Sequence, residues 1–467
     1  MNNQPRRPLL LLLAAGSALL VGAAVWVARP APKQTQSSDR LALDTLVECR
    51  SAYLALRFHT PTKGDGFRRI SSKVLDDLYT VALATRSPGA VRRLVLMRYT
   101  LGDASWQRDL ALLWHTPEAM SPFRVEQELA LWHDVLASHP VPARHVADLA
   151  ERVRQLNLGW FEHLALSALY RNASMPLQAA KEEEAALGSA LVLQTCLSFL
   201  ALAAVLGTAL GVAAVTAILR RRRPWWLTPV PAEPVSVHQS HVLKAIFGSY
   251  VAAYLLLEIV LSQIGRPISQ AQPVVRVAAS LLLTVIWALV PYDVYRSWGR
   301  VAGITPSFIG WRTRNLFADV LFGVCGYMVA LPLVALATVV SSWVFRAFES
   351  PVHPALMEFA GSRSAWVHVL LFIQAGCVAP LFEETLFRGV LYKALVGRIG
   401  IAPAVLLASA VFALLHPQLP IGFLGIFILG CVFHGLAILR GSLVPAVVAH
   451  ALNNSMILLL FALILGS

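Results

Sequence analysis

The chain has 467 residues and is very apolar: hydrophobic residues make up 57% of it and charged residues only 14%. A typical soluble domain has roughly 25% charged residues. This composition, with a mean hydropathy of +0.62, excludes an ordinary soluble enzyme and predicts an all-α, polytopic helical membrane protein. The net charge of +13 does not predict nucleic-acid binding, because many Arg and Lys residues lie in short loops between apolar segments, where they set the orientation of membrane spans.

The N-terminal region contains the first predicted span. Arg6 and Arg7 precede an apolar run from Leu9 to about Ala28, which is longer than the core of a typical signal peptide, about 7–15 residues. Residues 1–28 are therefore predicted to be an uncleaved signal anchor. The alternative is a cleaved signal peptide.

Residues 29–188 form one long polar segment, which predicts an inserted soluble helical domain. Apolar residues recur at helical spacing in stretches such as Val125–Leu136 and Trp160–Tyr170. The run from Leu158 to Ala180 partly matches a helical pair of the tetratricopeptide (TPR) type. A TPR-like fold is one alternative and another helical bundle is the other. A protein partner for this segment is a hypothesis.

Eight further apolar segments follow, each as long as a membrane span or nearly so. They lie at about 189–219, 244–264, 274–295, 317–345, 365–388, 401–416, 420–439 and 443–465. With the N-terminal run they predict about nine spans. These divide into additional transmembrane helices over residues 189–345 and a C-terminal membrane domain over residues 346–467.

The basic residues predict the orientation of these spans. With the N-terminus in the cytoplasm, the run Arg220–Arg223 falls inside, and so do Arg312, Lys393 and Arg440. This arrangement follows the bias of positive charge towards cytoplasmic loops. Residues 29–188 then lie on the extracytoplasmic side. The expected location is the plasma (inner) membrane of a bacterium, as a multi-pass protein.

The cysteines have no paired spacing, which predicts neither a disulfide framework nor a cysteine-ligated zinc site. They are Cys49, Cys196, Cys325, Cys377 and Cys431.

The strongest functional signal is a charged cluster inside an apolar span. Glu383 and Glu384 are adjacent, and Arg388 follows. Each charge at bilayer depth costs about 2.5–3.5 kcal/mol on insertion scales, so the cluster indicates function. Glu384 and Arg388 are four residues apart and share a helix face, which predicts an ion pair and leaves Glu383 to face a cavity as a general base. The alternative is a structural ion-pair cluster at the end of a span.

Later spans add imidazole and amide groups. His416 is followed directly by Pro417, which predicts that the helix ends or kinks nearby. His450 and Asn454 share one helix face, and both can donate hydrogen bonds towards a developing oxyanion. The alternative for each residue is a structural hydrogen bond at a helix end or between helices.

Together, these motifs resemble the family of CAAX prenyl proteases and bacteriocin-processing enzymes, also called CPBP or Abi proteins. The family pattern is Glu-Glu-x-x-x-Arg, then Phe-x-x-x-His, then His-x-x-x-Asn or Asp on a later helix. The resemblance covers about residues 365–460. The matching residues are Glu383, Glu384 and Arg388, then Phe412 and His416, then His450 and Asn454.

The resemblance implies an intramembrane endopeptidase that acts on membrane-associated protein or peptide substrates. It implies that Glu383 and His416 activate water, and that His450 and Asn454 stabilise the oxyanion. The family is conventionally labelled a metalloprotease. Two mechanisms therefore stay open: zinc held by Glu383, His416 and His450, with one position left for water, or a metal-free glutamate base. The alternative function is a non-enzymatic membrane scaffold or immunity-type protein that uses the same polar cluster structurally.

Overall fold

The computed structural model describes residues 36–58, 65–116, 122–136, 140–220, 233–269, 271–345, 348, 353–362 and 364–465. Every regular element within these ranges is a helix, which confirms the predicted fold class. The predicted signal anchor, residues 1–28, lies outside the described residues. The chain divides into two compact units. Among the described residues, one comprises Leu200–Leu459, and the other, named by its main segment Ala31–Phe199, also takes in the C-terminal residues after Leu459.

The unit formed by Ala31–Phe199 and Leu460–Ser467 is a stack of helices in which consecutive helices such as α1, α2 and α3 pack on one another. Its centre is apolar, with Trp132 and Trp160 among the largest fully buried side chains. The helical spacing noted in the sequence therefore corresponds to real helices, while the TPR-like fold stays a prediction. The helices are α1 (Gln36–Phe58), α2 (Asp65–Thr85), α3 (Pro88–Thr100), α4 (Pro122–Leu136), α5 (Ala143–Gln155) and α6 (Trp160–Asn172).

Helix α7 (Pro176–Leu219) joins the polar and apolar parts of the chain without a break. The division between the two units falls after Phe199, whereas the sequence placed the end of the soluble domain at residue 188. Residues 176–188 contain strong helix formers such as Ala, Lys and Glu, so the helix begins in the polar segment and continues into the apolar one.

Eight of the nine predicted spans correspond to helices of the described residues. Within the described ranges, six helical stretches are long and apolar enough to cross a membrane. Helix α13 is apolar but shorter. Helix α8 has 33 residues but is not one of the six. The protein is an integral membrane protein. Besides α7, these helices are α8 (Val237–Ser269), α9 (Pro273–Val294), α10 (Leu316–Val344), α12 (Ala365–Ile399), α13 (Ile401–Leu414), α14 (Phe423–Arg440) and α15 (Val444–Leu465), with the short α11 (Pro354–Gly361) between α10 and α12.

Two predicted span boundaries were wrong. Helix α12 continues to Ile399 rather than ending near residue 388, because Gly400, with φ of 80°, is the first residue that stops it. Helix α13 ends at Leu414, so His416 lies in the turn after the helix rather than within the span. Pro417 and Pro420 explain this end, since proline cannot continue the backbone hydrogen bonding of a helix.

Close contacts fix the helices that surround the polar residues. A Cβ added at Gly323 of α10 would lie 2.7 Å from the carbonyl oxygen of Pro445 of α15, so only glycine permits this approach. At the same end of α10, Asp319 accepts a hydrogen bond of 2.7 Å from Nε of Arg440, the last residue of α14. The relative positions of α10, α14 and α15 are therefore set by backbone proximity and by one ion pair.

The topology can be tested with introduced cysteines. We expect a membrane-impermeant maleimide to label Ala147→Cys in intact cells but not Arg314→Cys, since these exposed positions lie on opposite sides in the predicted orientation. The natural Cys49 cannot serve as the probe: its side chain is fully buried, and burial raises the pKa of its thiol. Labelling of Arg314→Cys alone would show that the predicted orientation is inverted.

Candidate active site

A buried ion pair lies at the centre of the membrane unit. Nη1 of Arg388 donates to Oε1 of Glu384 at 3.0 Å, and both side chains are 0% exposed. Nη2 of Arg388 donates to the carbonyl of Gly430 at 3.3 Å. The guanidinium also lies over the rings of Phe412 and Phe433, at 4.5 and 5.3 Å from the ring centres. The ion pair that the i, i+4 spacing predicted is thus present, and aromatic faces surround it.

The helix that carries the acids is not a regular α-helix. Two π-helical segments interrupt α12, at Ile373–Val378 and at Thr385–Leu391. The second begins directly after Glu384 and contains Arg388. Such segments are uncommon and often occur at functional sites.

His450 is held by the same carboxylate. Nδ1 of His450 lies 2.8 Å from Oε1 of Glu384, and the imidazole stacks on Phe433 with ring centres 5.2 Å apart. Because a carboxylate only accepts, Nδ1 carries the hydrogen and donates it. Nε2 of His450 is then 3.9 Å from Oε2 of Glu383. Glu384 therefore orients the imidazole, as a buried carboxylate does in other carboxylate–histidine pairs.

The two glutamates differ in their relation to a cavity of about 290 Å³, which only Glu383 borders. The side chain of Glu383 is 25% exposed and lines the cavity, whereas Glu384 is fully buried behind it. His416, His450 and Asn454 line the same cavity. The structure thus brings together four of the six candidate residues around one space, and places Glu384 and Arg388 as the support beneath it.

The other two polar groups of the cavity also have defined orientations. Nδ1 of His416 donates to the carbonyl of Phe412 at 2.8 Å, which leaves Nε2 of the neutral ring as an acceptor. Nδ2 of Asn454 donates to the carbonyl of Ala375 at 2.9 Å, and its Oδ1 accepts from Nδ2 of Asn453 at 3.2 Å. One N–H of the Asn454 amide thus donates to the carbonyl of Ala375. The other N–H can donate to a group bound in the cavity.

Sequence reasoning missed other polar residues of the cavity, among them His353, Gln374 and Gln418. His353 precedes α11, and its Nδ1 accepts from the backbone N–H of Ala355 at 3.1 Å. Gln374 bonds to Ser280 at 3.0 Å. None of the three has a motif spacing to the acids. The only available signal was that His353 and Gln418 are polar residues beside prolines at the ends of apolar segments.

The predicted zinc ligands are not gathered as a metal site. Throughout the described ranges, no group of three His, Cys, Asp or Glu side chains is arranged to hold a metal ion. The carboxylate of Glu383 and the imidazoles of His416 and His450 are groups that zinc binds. Their side chains are not arranged as a three-ligand set in the structure. Zinc therefore stays a prediction of the family resemblance.

Comparison with known proteins assigns this region. The family model described as type II CAAX prenyl endopeptidase Rce1-like matches residues 364–456, a range that contains all six candidate residues and both π-helical segments. No curated protein matches the chain, and no solved structure matches it. The match and the motifs agree: residues 364–456 form an Rce1-like domain of the CAAX protease family, carried by an integral membrane protein.

Proposed function

We propose that this protein is an intramembrane endopeptidase that hydrolyses peptide bonds of membrane-associated proteins or peptides. The observation that carries the proposal is the Glu383 carboxylate. It lines a polar cavity between membrane helices, and its Oε2 has no hydrogen-bond partner among the described residues. Oε2 of Glu384 is also unpaired among the described residues, but Glu384 is fully buried, so Glu383 is the acid whose unpaired oxygen borders the cavity.

The first step uses a water molecule in the cavity. Oε2 of Glu383 and Nε2 of His450 are 3.9 Å apart, so one water can contact both acceptors. Glu383 takes a proton from this water as general base, and the water oxygen forms a bond to the carbonyl carbon of the scissile peptide. His416, whose Nε2 is also an acceptor, lines the same space and takes the second hydrogen of the water in place of His450.

The second step breaks the peptide bond. The attack moves the carbonyl electrons onto oxygen, and the second amide hydrogen of Asn454 stabilises this oxyanion. When the carbonyl reforms, the C–N bond breaks and the proton held by Glu383 passes to the leaving amine. Glu384 and Arg388 do not touch the reacting atoms. Their role is to orient His450 through its Nδ1.

An apolar groove beside the cavity supports a membrane-embedded substrate. The groove has a volume of about 700 Å³, and nearly all of its lining is hydrocarbon. Thr284 lines both the groove and the polar cavity, so the two spaces adjoin between α9 and α12. A substrate held by an apolar segment in the groove would present a nearby peptide bond to Glu383.

We propose zinc only as the alternative that the family label implies. When bound, zinc would polarise the carbonyl and acidify water. Metal analysis of the purified protein, and cleavage before and after dialysis against a chelator, would decide between the two mechanisms.

Two histidine variants test the proposed activity. His416, in the turn after α13, is the residue under test, and His368 of α12 is the control. We expect His416→Ala to reduce cleavage of a membrane-peptide library by about 10²-fold or more, since the variant loses a group that holds the attacking water. His368→Ala is the matched control, because His368 lies outside the cavity and stacks on Phe359. Full activity of folded His416→Ala protein would rule out the proposed mechanism.

A further inference from the structure

A second, smaller cavity is lined by Arg388, which does not line the first. Its volume is about 60 Å³, and its lining includes Arg388, Tyr392 and Lys393 of α12 and His434 of α14. Arg312 also lines it. The loops around it belong to the face that the basic residues place at the cytoplasmic surface, where lipid headgroups lie.

Among the described residues, the lining carries three cationic side chains and no Asp or Glu. Arg312 donates to the carbonyl of Gly441 at 2.8 Å and to Glu233 at 3.1 Å. The Lys393 ammonium lies 4.7 Å from the ring centre of Phe308. Lys393 forms no ion pair within the part of the chain that the structure describes, and the acid that acts on its charge, Glu233, already pairs with Arg312. The charge of Lys393 is therefore available to an anion.

Arg388 adds an independent sign of a ligand. It is 2% exposed, and both of its Nη groups are engaged, by Glu384 and by the carbonyl of Gly430. Its third donor, Nε, has no hydrogen-bond partner among the described residues. Since a buried donor without an acceptor costs free energy, an acceptor from outside the described chain would stabilise this arrangement.

His434, which also lines the second cavity, restricts the chemical groups that the ligand can carry. It is 1% exposed, and its Nδ1 donates to the carbonyl of Gly430 at 2.8 Å. Nε2 of the neutral ring is an acceptor without a hydrogen-bond partner of regular geometry in the described ranges. Oγ of Ser409, 3.2 Å from Nδ1, and the carbonyl of Phe387 are the other polar groups at the ring. The ligand must therefore offer acceptors to Arg388 and Lys393, and a hydroxyl or another donor to His434.

We propose that this second cavity binds a phosphate group that lies next to a hydroxyl. The cavity, of about 60 Å³, has room for a group of a few water-sized atoms, such as a phosphate. Basic pockets between membrane helices on the cytoplasmic side recognise lipid headgroups through this chemistry. A phosphatidylglycerol headgroup and free hydrogen phosphate both combine the phosphate with a hydroxyl. The proposal does not depend on the proposed peptidase activity.

The experiment measures binding to the purified, delipidated full-length protein. Native mass spectrometry would count retained molecules of phosphatidylglycerol and of diacylglycerol, which has the same chains without the phosphate. A separate titration with inorganic phosphate, at constant ionic strength set by chloride, would follow thermal stability. We expect Lys393→Gln to weaken binding by at least about tenfold and Lys393→Arg to restore it. Arg314→Gln is the matched control: it removes one charge at an exposed position outside the cavity.

The outcomes distinguish the two sources of the phosphate group, a lipid headgroup and the free ion. Retention of phosphatidylglycerol but not diacylglycerol identifies a lipid headgroup, and a response to inorganic phosphate alone identifies the free ion. The proposal is overturned if wild-type protein binds neither. It is also overturned if Lys393→Gln binds as wild type does, or if Arg314→Gln loses as much affinity as Lys393→Gln.

Discussion

Glu383→Gln is expected to lower the cleavage rate by about 10²–10⁴-fold, the usual contribution of a general base, while the protein stays folded. The amide keeps the shape of the carboxylate but cannot take a proton from water. Because Oε2 of Glu383 has no hydrogen-bond partner among the described residues, loss of its charge breaks no ion pair that holds helices together. Turnover and thermal stability, measured side by side in detergent, would check this.

Glu384→Gln is the matched comparison on the adjacent residue. Glu384 accepts from both Arg388 and His450 and is fully buried. Its neutralisation should therefore reduce stability more than Glu383→Gln does, and turnover less. A Glu383→Gln variant that is more active than Glu384→Gln would show that the two roles are wrongly assigned. Unchanged activity in Glu383→Gln would favour the scaffold function.

Arg388→Ala is expected to destabilise the membrane unit by about 3–5 kcal/mol, the typical effect of removing one partner of a buried ion pair. The Glu384 carboxylate would lose its counter-charge, and the carbonyl of Gly430 would lose a donor. The aromatic faces of Phe412 and Phe433 would lose a cation as well. Activity should fall too, because His450 depends on the position of Glu384.

Denaturation in mixed detergent micelles would measure this loss. Arg314→Ala is the control, since surface substitutions away from special features usually change stability by no more than about 0.5 kcal/mol. Arg388→Lys keeps the charge but not the second Nη contact, so an intermediate stability is expected. An Arg388→Ala protein as stable and active as wild type would mean that the ion pair has no supporting role.

The sequence predicted the helices and the ion pair better than it predicted the cavity. Apolar runs of membrane length are a strong signal, and the i, i+4 spacing of Glu384 and Arg388 leaves little freedom in a helix. Helix geometry alone could not decide which glutamate faces inward. In the structure, Glu383 lines the cavity and Glu384 is buried beside His450 of α15.

The groups that sequence reasoning missed depend on contacts between distant segments. His353 reaches the first cavity from a loop before α11, and His434 reaches the second cavity from the middle of α14. Neither has a fixed spacing to Glu383 or Arg388 along the chain. The role of His450 also changed in detail. Its Nδ1 is committed to Glu384, so only Nε2 can act in the first cavity.

The π-helical segment Thr385–Leu391 determines how the side chains before it in α12 are oriented relative to those after it. A π turn holds one residue more than an α turn, so it is the expected trace of a single-residue insertion. Deletion of one residue there, such as Val390, would restore α-helical geometry and leave the later residues close to their present orientation, because the wider turn already absorbs the extra residue. Tyr392 and Lys393 would then stay at the second cavity, and the change would fall on the π turn itself, which contains Arg388. Relatives that lack this insertion should therefore keep the acids and the cationic lining and differ in the turn between them.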